Sequence, residues 1–204
     1  MQLEAQNLRC RRGPKTLFTD ISFSLDAGKL LLVEGQNGAG KTTLLKLLSG
    51  LRRPDKGEVL WNGISIRSAD SQFNRQLAWL GHQNPLKEDQ TAFENLSMLG
   101  AIRSRNERCA YEALQAVKLG NVKHKAVKTF SAGMKRRLAL ASLLIADTPL
   151  WILDEPQAAL DKAGIALYEQ LATKHLENGG MIIMTSHHDV AIDERFIERL
   201  ILGQ

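Results

Sequence analysis

The segment Gly35-Gln36-Asn37-Gly38-Ala39-Gly40-Lys41-Thr42 fits the spacing G-x-x-x-x-G-K-[ST] in full. Each residue type has a chemical task there. The glycines let the backbone fold around an anion so that several N–H groups point inward. The helix that follows turns its positive end toward the same anion. Lys41 adds a mobile point charge for β- and γ-phosphates, and the Thr42 hydroxyl is suited to hold Mg²⁺. Thr43 is placed to reach the α-phosphate. Bound triphosphate is the expected ligand.

A second group stands downstream, where the apolar run Leu150-Trp151-Ile152-Leu153 ends in Asp154-Glu155-Pro156. Two adjacent carboxylates at the end of a buried strand are costly to desolvate unless a cation offsets them. Mg²⁺ carried by a nucleotide is such a cation. Asp154 would then orient the metal's water shell, and Glu155 would act as general base on an attacking water. Alone, this pattern reads more readily as a strand end followed by a helix cap. Together with the glycine loop it implies hydrolysis of ATP or GTP.

The elements around these groups suit that task. Nearly continuous apolar runs begin at Leu30, Leu150 and Met181, the pattern of strands buried on both faces of a parallel sheet. Glu58–Trp61 and Leu77–Leu80 are further strand candidates. Helical patterns cover Lys41–Ser49 and Ala163–Glu177, and a short one is expected near Asp189. Alternation of this kind is the α/β layer plan. Leu3/Ala5 and Ile21/Phe23/Leu25 alternate as antiparallel strands on one edge. From about 86 to 146 the pattern becomes helical throughout, near Ala92–Arg103, Glu107–Val117 and Ser131–Ile145, which predicts an all-helical lobe inserted into the core of about 1–85 and 147–204.

Composition narrows the class. The chain has 204 residues, 44% hydrophobic and 24% charged, which is ordinary for one globular domain. A net charge of +5 suits a phosphate-rich ligand, nucleic acid or an anionic membrane surface without choosing among them. Cys10 and Cys109 make neither a disulfide framework nor a metal cluster, so a reducing compartment is expected. Met1–Ala5 lacks the layout of a secretory signal. The longest nearly unbroken apolar run, Leu138–Ala146, is far short of the roughly 20 residues a spanning helix needs.

Further motifs then fall in an order that resembles the nucleotide-binding subunit of ABC transporters. Phe130-Ser131-Ala132-Gly133-Met134 resembles the family's signature segment, normally Leu-Ser-Gly-Gly-Gln. Gln83, after the Leu77–Leu80 run, resembles the Q-loop glutamine, and Ala158-Ala159-Leu160-Asp161 the D-loop. His187, after Met181–Met184, resembles the switch histidine, with His188 as the alternative. The resemblance covers essentially the whole chain. It implies an α/β fold: a RecA-like P-loop NTPase core with an antiparallel β edge and an inserted helical lobe. By the same resemblance, Glu155, His187 and Gln83 are catalytic; Gln83 joins Thr42 and Asp154 at Mg²⁺. Two copies would pair head to tail, with ATP on one copy's Lys41 loop closed over by Ser131 and Gly133 of the other.

Among ABC subunits the chain is most similar to the heme-exporter branch of cytochrome c maturation. The segments that carry this are Gly57–Trp61 directly after Arg53-Pro54-Asp55, Leu77–Gln83, Thr91–Leu96, Ser131-Ala132-Gly133 and Leu150–Pro156. That resemblance implies a membrane-spanning heme exporter subunit as partner, a periplasmic heme chaperone reached indirectly, and a peripheral place on the cytoplasmic face of the bacterial inner membrane. No Cys-x-x-Cys-His motif suggests that this chain grips heme itself. His82 reads as a core or loop histidine, or as a functional one; His124 reads as solvated.

Two departures from the family pattern matter. Arg12 stands where an aromatic residue usually stacks on adenine; it either replaces that residue by guanidinium stacking or belongs to a solvated basic edge with Arg9, Arg11 and Lys15. Met134 replaces the signature glutamine and cannot hydrogen-bond as an amide can. The functional alternatives are another small ABC exporter, or a soluble ABC ATPase acting on nucleic acid or the ribosome. Those soluble relatives usually carry a long coiled-coil insertion or two tandem cassettes, and this chain holds one, so no nucleic-acid partner is expected.

Overall fold

Each sheet follows from a different side-chain pattern. The strand β3 (Leu30–Gly35), with β7 (Leu150–Asp154) and β8 (Met181–Thr185), is apolar on both faces and buried along nearly its whole length. With β6 (Leu77–Leu80) and β9 (Ile197–Leu202) these strands form a parallel sheet in the order β6-β7-β8-β3-β9. In contrast, β1 (Gln2–Arg12) and β2 (Lys15–Asp26) alternate buried and exposed residues. They join β4 (Lys56–Trp61) and β5 (Ile64–Ser65) in a four-stranded antiparallel sheet, order β2-β1-β4-β5. The computed structural model describes residues 1–68, 72–103, 107–187 and 189–203.

Between the two sheets lies α1 (Lys41–Leu48), with Leu44, Leu45, Leu47 and Leu48 all buried. Leu3, Leu8 and Leu25 from the antiparallel sheet and Ile152 and Ile183 from the parallel one complete that core. On the opposite face of the parallel sheet, Leu32, Trp151, Ile182 and Met184 pack against α4 (Ala132–Ala146) and α5 (Lys162–Glu177). The helices α2 (Ala92–Ile102) and α3 (Glu107–Ala116) gather with α4 around a third core of Leu96, Leu114, Phe130, Leu138 and Ile145. Burial of α4 on two sides explains why its apolar residues form no single stripe. A capping box starts α2: Thr91 Oγ1 accepts from the Glu94 amide at 3.1 Å, and Glu94 Oε2 accepts from the Thr91 amide at 2.7 Å.

One expected element is absent. Residues 189–193 contain no helix; Asp193 caps a 3₁₀ turn at Glu194–Phe196, accepting from the Arg195 amide at 2.9 Å. The chain then runs into β9, an edge strand beside β3 that the sequence did not announce. Its apolar residues are interleaved with Glu198 and Arg199, so no buried-strand run is visible in that stretch.

Candidate active site

The carboxyl ends of β3, β7 and β8 converge, and the chemistry-bearing residues hang from them, the usual place for a ligand in an open parallel sheet. Leaving β3, Gly35 takes φ +142°, and a Cβ there would meet the Leu202 carbonyl at 2.6 Å. Gly40 takes φ +101° as the cap of α1. Its position offers no side chain to bond the first-turn amides, and the first turn holds no acidic residue, so the positive end of α1 is left for an external anion. Lys41 is buried and curls back, with Nζ donating to the Gly35 carbonyl at 2.6 Å and the Gln36 carbonyl at 3.4 Å.

At the end of β7, Asp154 is buried and both its carboxylate oxygens are engaged. Thr42 Oγ1 donates to Oδ2 at 2.9 Å, and Thr185 Oγ1 donates to Oδ1 at 2.8 Å. The same Thr185 hydroxyl accepts from the Glu155 amide at 3.0 Å. Glu155 itself sits at φ +50°, a left-handed conformation that costs a non-glycine residue on the order of 1–3 kcal/mol. Its carboxylate meets two imidazoles, His187 Nε2 at 3.1 Å and His82 Nδ1 at 3.9 Å. A metal would find hard oxygen donors here in the Thr42 hydroxyl and Asp154 carboxylate, the type Mg²⁺ prefers. Among the described residues no cluster of three His, Cys, Asp or Glu side chains forms a protein-only metal cage.

One cleft of about 230 Å³ gathers most of the residues singled out by sequence. Gln36, Asn37, Gly38, Gly40, Lys41, Thr42 and Thr43 line it from the loop, and Glu155 and His187 from the sheet. Arg12 and Leu17 close it from the antiparallel edge. Gly35 and Ala39 shape the loop without lining the cleft, and Asp154 lies behind Thr42. Three singled-out residues stand apart. Gln83 is exposed in the segment after β6, and Ser131 and Gly133 lie at the start of α4, outside the cleft lining. Ser131 caps α4, its hydroxyl accepting from the Met134 amide at 3.2 Å, while Met134 packs against the lobe core. His188 lies outside the described residues.

Three contributors had not been given a role in the site. Thr185 bridges the two acidic residues, and its place directly opposite Asp154 in the β7–β8 register was the available signal. His82 was left between a core and a functional reading; it is exposed and faces Glu155. Arg136 is buried, with five hydrogen bonds to backbone and amide oxygens at the ends of β6 and β7, one of them to Asn84. No local pattern distinguishes it from Arg137 beside it.

A family model described as ABC transporter matches residues 18–158. The chain belongs to the ABC transporter family. Its curated relatives include the cytochrome c biogenesis ATP-binding export protein CcmA of Nitrosospira multiformis, 44% identical over 97% of each chain. The protein of that name from Escherichia coli K12 is 43% identical, covering 99% of this chain and 97% of its own. A solved ATP-binding subunit of an ABC transporter aligns with TM-score 0.86 and 27% identity, over 100% of this chain and 86% of its own. The ATP-binding cassette MJ0796, a dimer bound to ADP and Pi, shares the fold with TM-score 0.84 at 22% identity, over 99% of this chain and 97% of its own. This ABC fold is the α/β architecture expected from the sequence, a parallel core with an antiparallel edge.

Proposed function

We propose that this chain is the ATP-hydrolysing subunit of a bacterial ABC exporter, energising heme export or heme-chaperone release in cytochrome c biogenesis. The observation that carries the enzymatic part is the convergence of the Lys41 loop, Glu155 and His187 on one cleft, with Asp154 held behind Thr42. The biological part rests on relatives at 38–44% identity over nearly full length that share the export-protein name.

In this reading the loop amides and the open end of α1 hold the phosphates, and Lys41 Nζ leaves the Gly35 carbonyl for the γ-phosphate. Thr42 and Asp154 would hold Mg²⁺, with Gln83 as a further ligand. Bound Mg²⁺ neutralises charge developing on the phosphoryl oxygens. Glu155 takes a proton from the attacking water, and His187 fixes that carboxylate's orientation. Arg12, at the mouth of the cleft, stacks on the base. Ser131 and Gly133, away from the cleft of their own chain, close over the nucleotide of a second copy.

The partner in the membrane meets the groove between β6 and the lobe, about 370 Å³ and lined by Trp79, Leu86, Leu96, Leu99, Ile102 and Leu143. An apolar groove of this kind can accept a short helix. No helix among the described residues is long and apolar enough to cross a membrane. The membrane partner in this reading is the heme exporter subunit, with a periplasmic heme chaperone beyond it. The chain then sits peripherally on the cytoplasmic face of the inner membrane. Affinity purification of the tagged chain from detergent-solubilised membranes tests this. Recovery of a polytopic membrane subunit, with MgATP turnover in the complex, is expected; recovery of ribosomes or nucleic acid instead would overturn the transport reading.

A further inference from the structure

We propose that Arg136 is a positioning residue for Glu155: its buried guanidinium sets the strand end on which that carboxylate stands and ties it to the segment carrying Gln83. The proposal rests on the reading of Glu155 as the water-activating base.

A guanidinium has five N–H donors, and burying it unsatisfied costs several kcal/mol. Here Arg136 is only 2% exposed, yet all its nitrogens find oxygen. Nε donates to the Pro156 carbonyl at 3.0 Å, and Nη2 to the carbonyls of Asp154 and Glu155 at 3.1 and 2.7 Å. Nη1 donates to the Gly81 carbonyl at 2.9 Å and to Asn84 Oδ1 at 3.1 Å. Burial pulls its pKa below the usual arginine range, while Asp154 foremost, then Tyr168 and Glu155, pull it back up.

The pattern of partners argues for more than packing. Three consecutive carbonyls are held across the residue with left-handed backbone, Glu155, where β7 turns and the carboxylate leaves the strand. A strained turn persists only when its surroundings fix it. The two remaining bonds bracket His82 and Gln83 from both sides, at Gly81 and Asn84. Arg136 lies in the second turn of α4, the helix that opens with Ser131 and Gly133. One rigid, planar fork therefore joins the signature helix, the Gln83 segment and the base. Lysine, a single point charge, cannot span these acceptors. Movement of the lobe or of the Gln83 segment is transmitted through this fork to the carbonyl of Glu155.

Steady-state kinetics on the full chain, with MgATP affinity measured separately, test the proposal. Arg136→Gln is expected to lower kcat about 30-fold with KM and MgATP affinity within about twofold, the signature of a lost transition-state arrangement. Arg136→Lys should fall between it and the native chain. Asn84→Ala, which cuts one arm on the Gln83 side without emptying the core, should lower kcat a few-fold at unchanged KM, on the same principle. It decides the matter if Arg136→Gln does not fold. Loss of kcat and nucleotide affinity in parallel, or unchanged kcat in folded Arg136→Gln or Asn84→Ala, overturns the proposal. Glu155→Gln separates the two levels. If Glu155→Gln retains turnover, the base assignment itself fails; if it alone is inactive, only the role of Arg136 does.

Discussion

The two helix starts to which the proposed function gives anion-binding roles are built differently. The start of α1 is finished within the chain: a glycine cap leaves its amides open, Lys41 is folded in, and Thr42 is locked to Asp154. The start of α4 lies outside the lining of the cleft, and its cap, Ser131, is exposed and bonds its own helix at Met134. The first lines the cleft with Lys41, Thr42 and Thr43; the second does not line it. In the proposed function, this difference is where a second copy would contribute.

The comparison can be broken most sharply at α1. Lys41→Ala should reduce ATP turnover by at least about 100-fold, because the phosphates lose the loop's only cation. Turnover near the native level in a phosphate-release assay would mean the cleft is not the reaction site. Next comes complementation between the two helix starts. Lys41→Ala and Ser131→Arg should each be inactive alone. Mixed in equal amounts they should recover about a quarter of native activity, since a head-to-tail heterodimer rebuilds one intact site from the two good halves. No recovery in a dimer verified by light scattering would place both helix starts in service of the same chain.

Smaller effects sharpen the interior of the cleft. Thr185→Val removes the hydroxyl that serves both Asp154 and the Glu155 amide, leaving two buried polar groups short of a partner. Chemical denaturation should show a loss of about 1–3 kcal/mol, and kcat should fall with it. Arg12→Ala should weaken ATP binding only several-fold, as expected for about 1 kcal/mol of guanidinium stacking at an exposed site. Unchanged affinity by calorimetry would assign Arg12 to the solvated basic edge.

Motifs whose chemistry depends on adjacent residues were legible in the chain itself. The Gly35–Thr42 loop, the Asp154-Glu155 pair after an apolar strand and the Ser131 helix start all combine neighbouring residues with local geometry, and backbone rules tie such groups to a place. The doubly buried strands were legible for the same reason, since continuous apolar runs announce themselves. What escaped has a common cause. The strand β9 carries Glu198 and Arg199 side by side near its start and is recognisable only once β3 offers an edge. The helix expected near Asp189 yields to a turn capped by Asp193.

The amino-acid order by itself therefore determined the phosphate chemistry, the acidic pair and the α/β plan, because those rest on contacts within a few residues. Tertiary structure alone decided that Thr185 ties Asp154 to Glu155, that His82 faces the same carboxylate, and that Arg136 reaches three carbonyls at the end of β7. Such roles depend on burial and on partners far away in sequence. A buried guanidinium and a solvated one have the same letter, and only packing makes the first obligatory and leaves the second free.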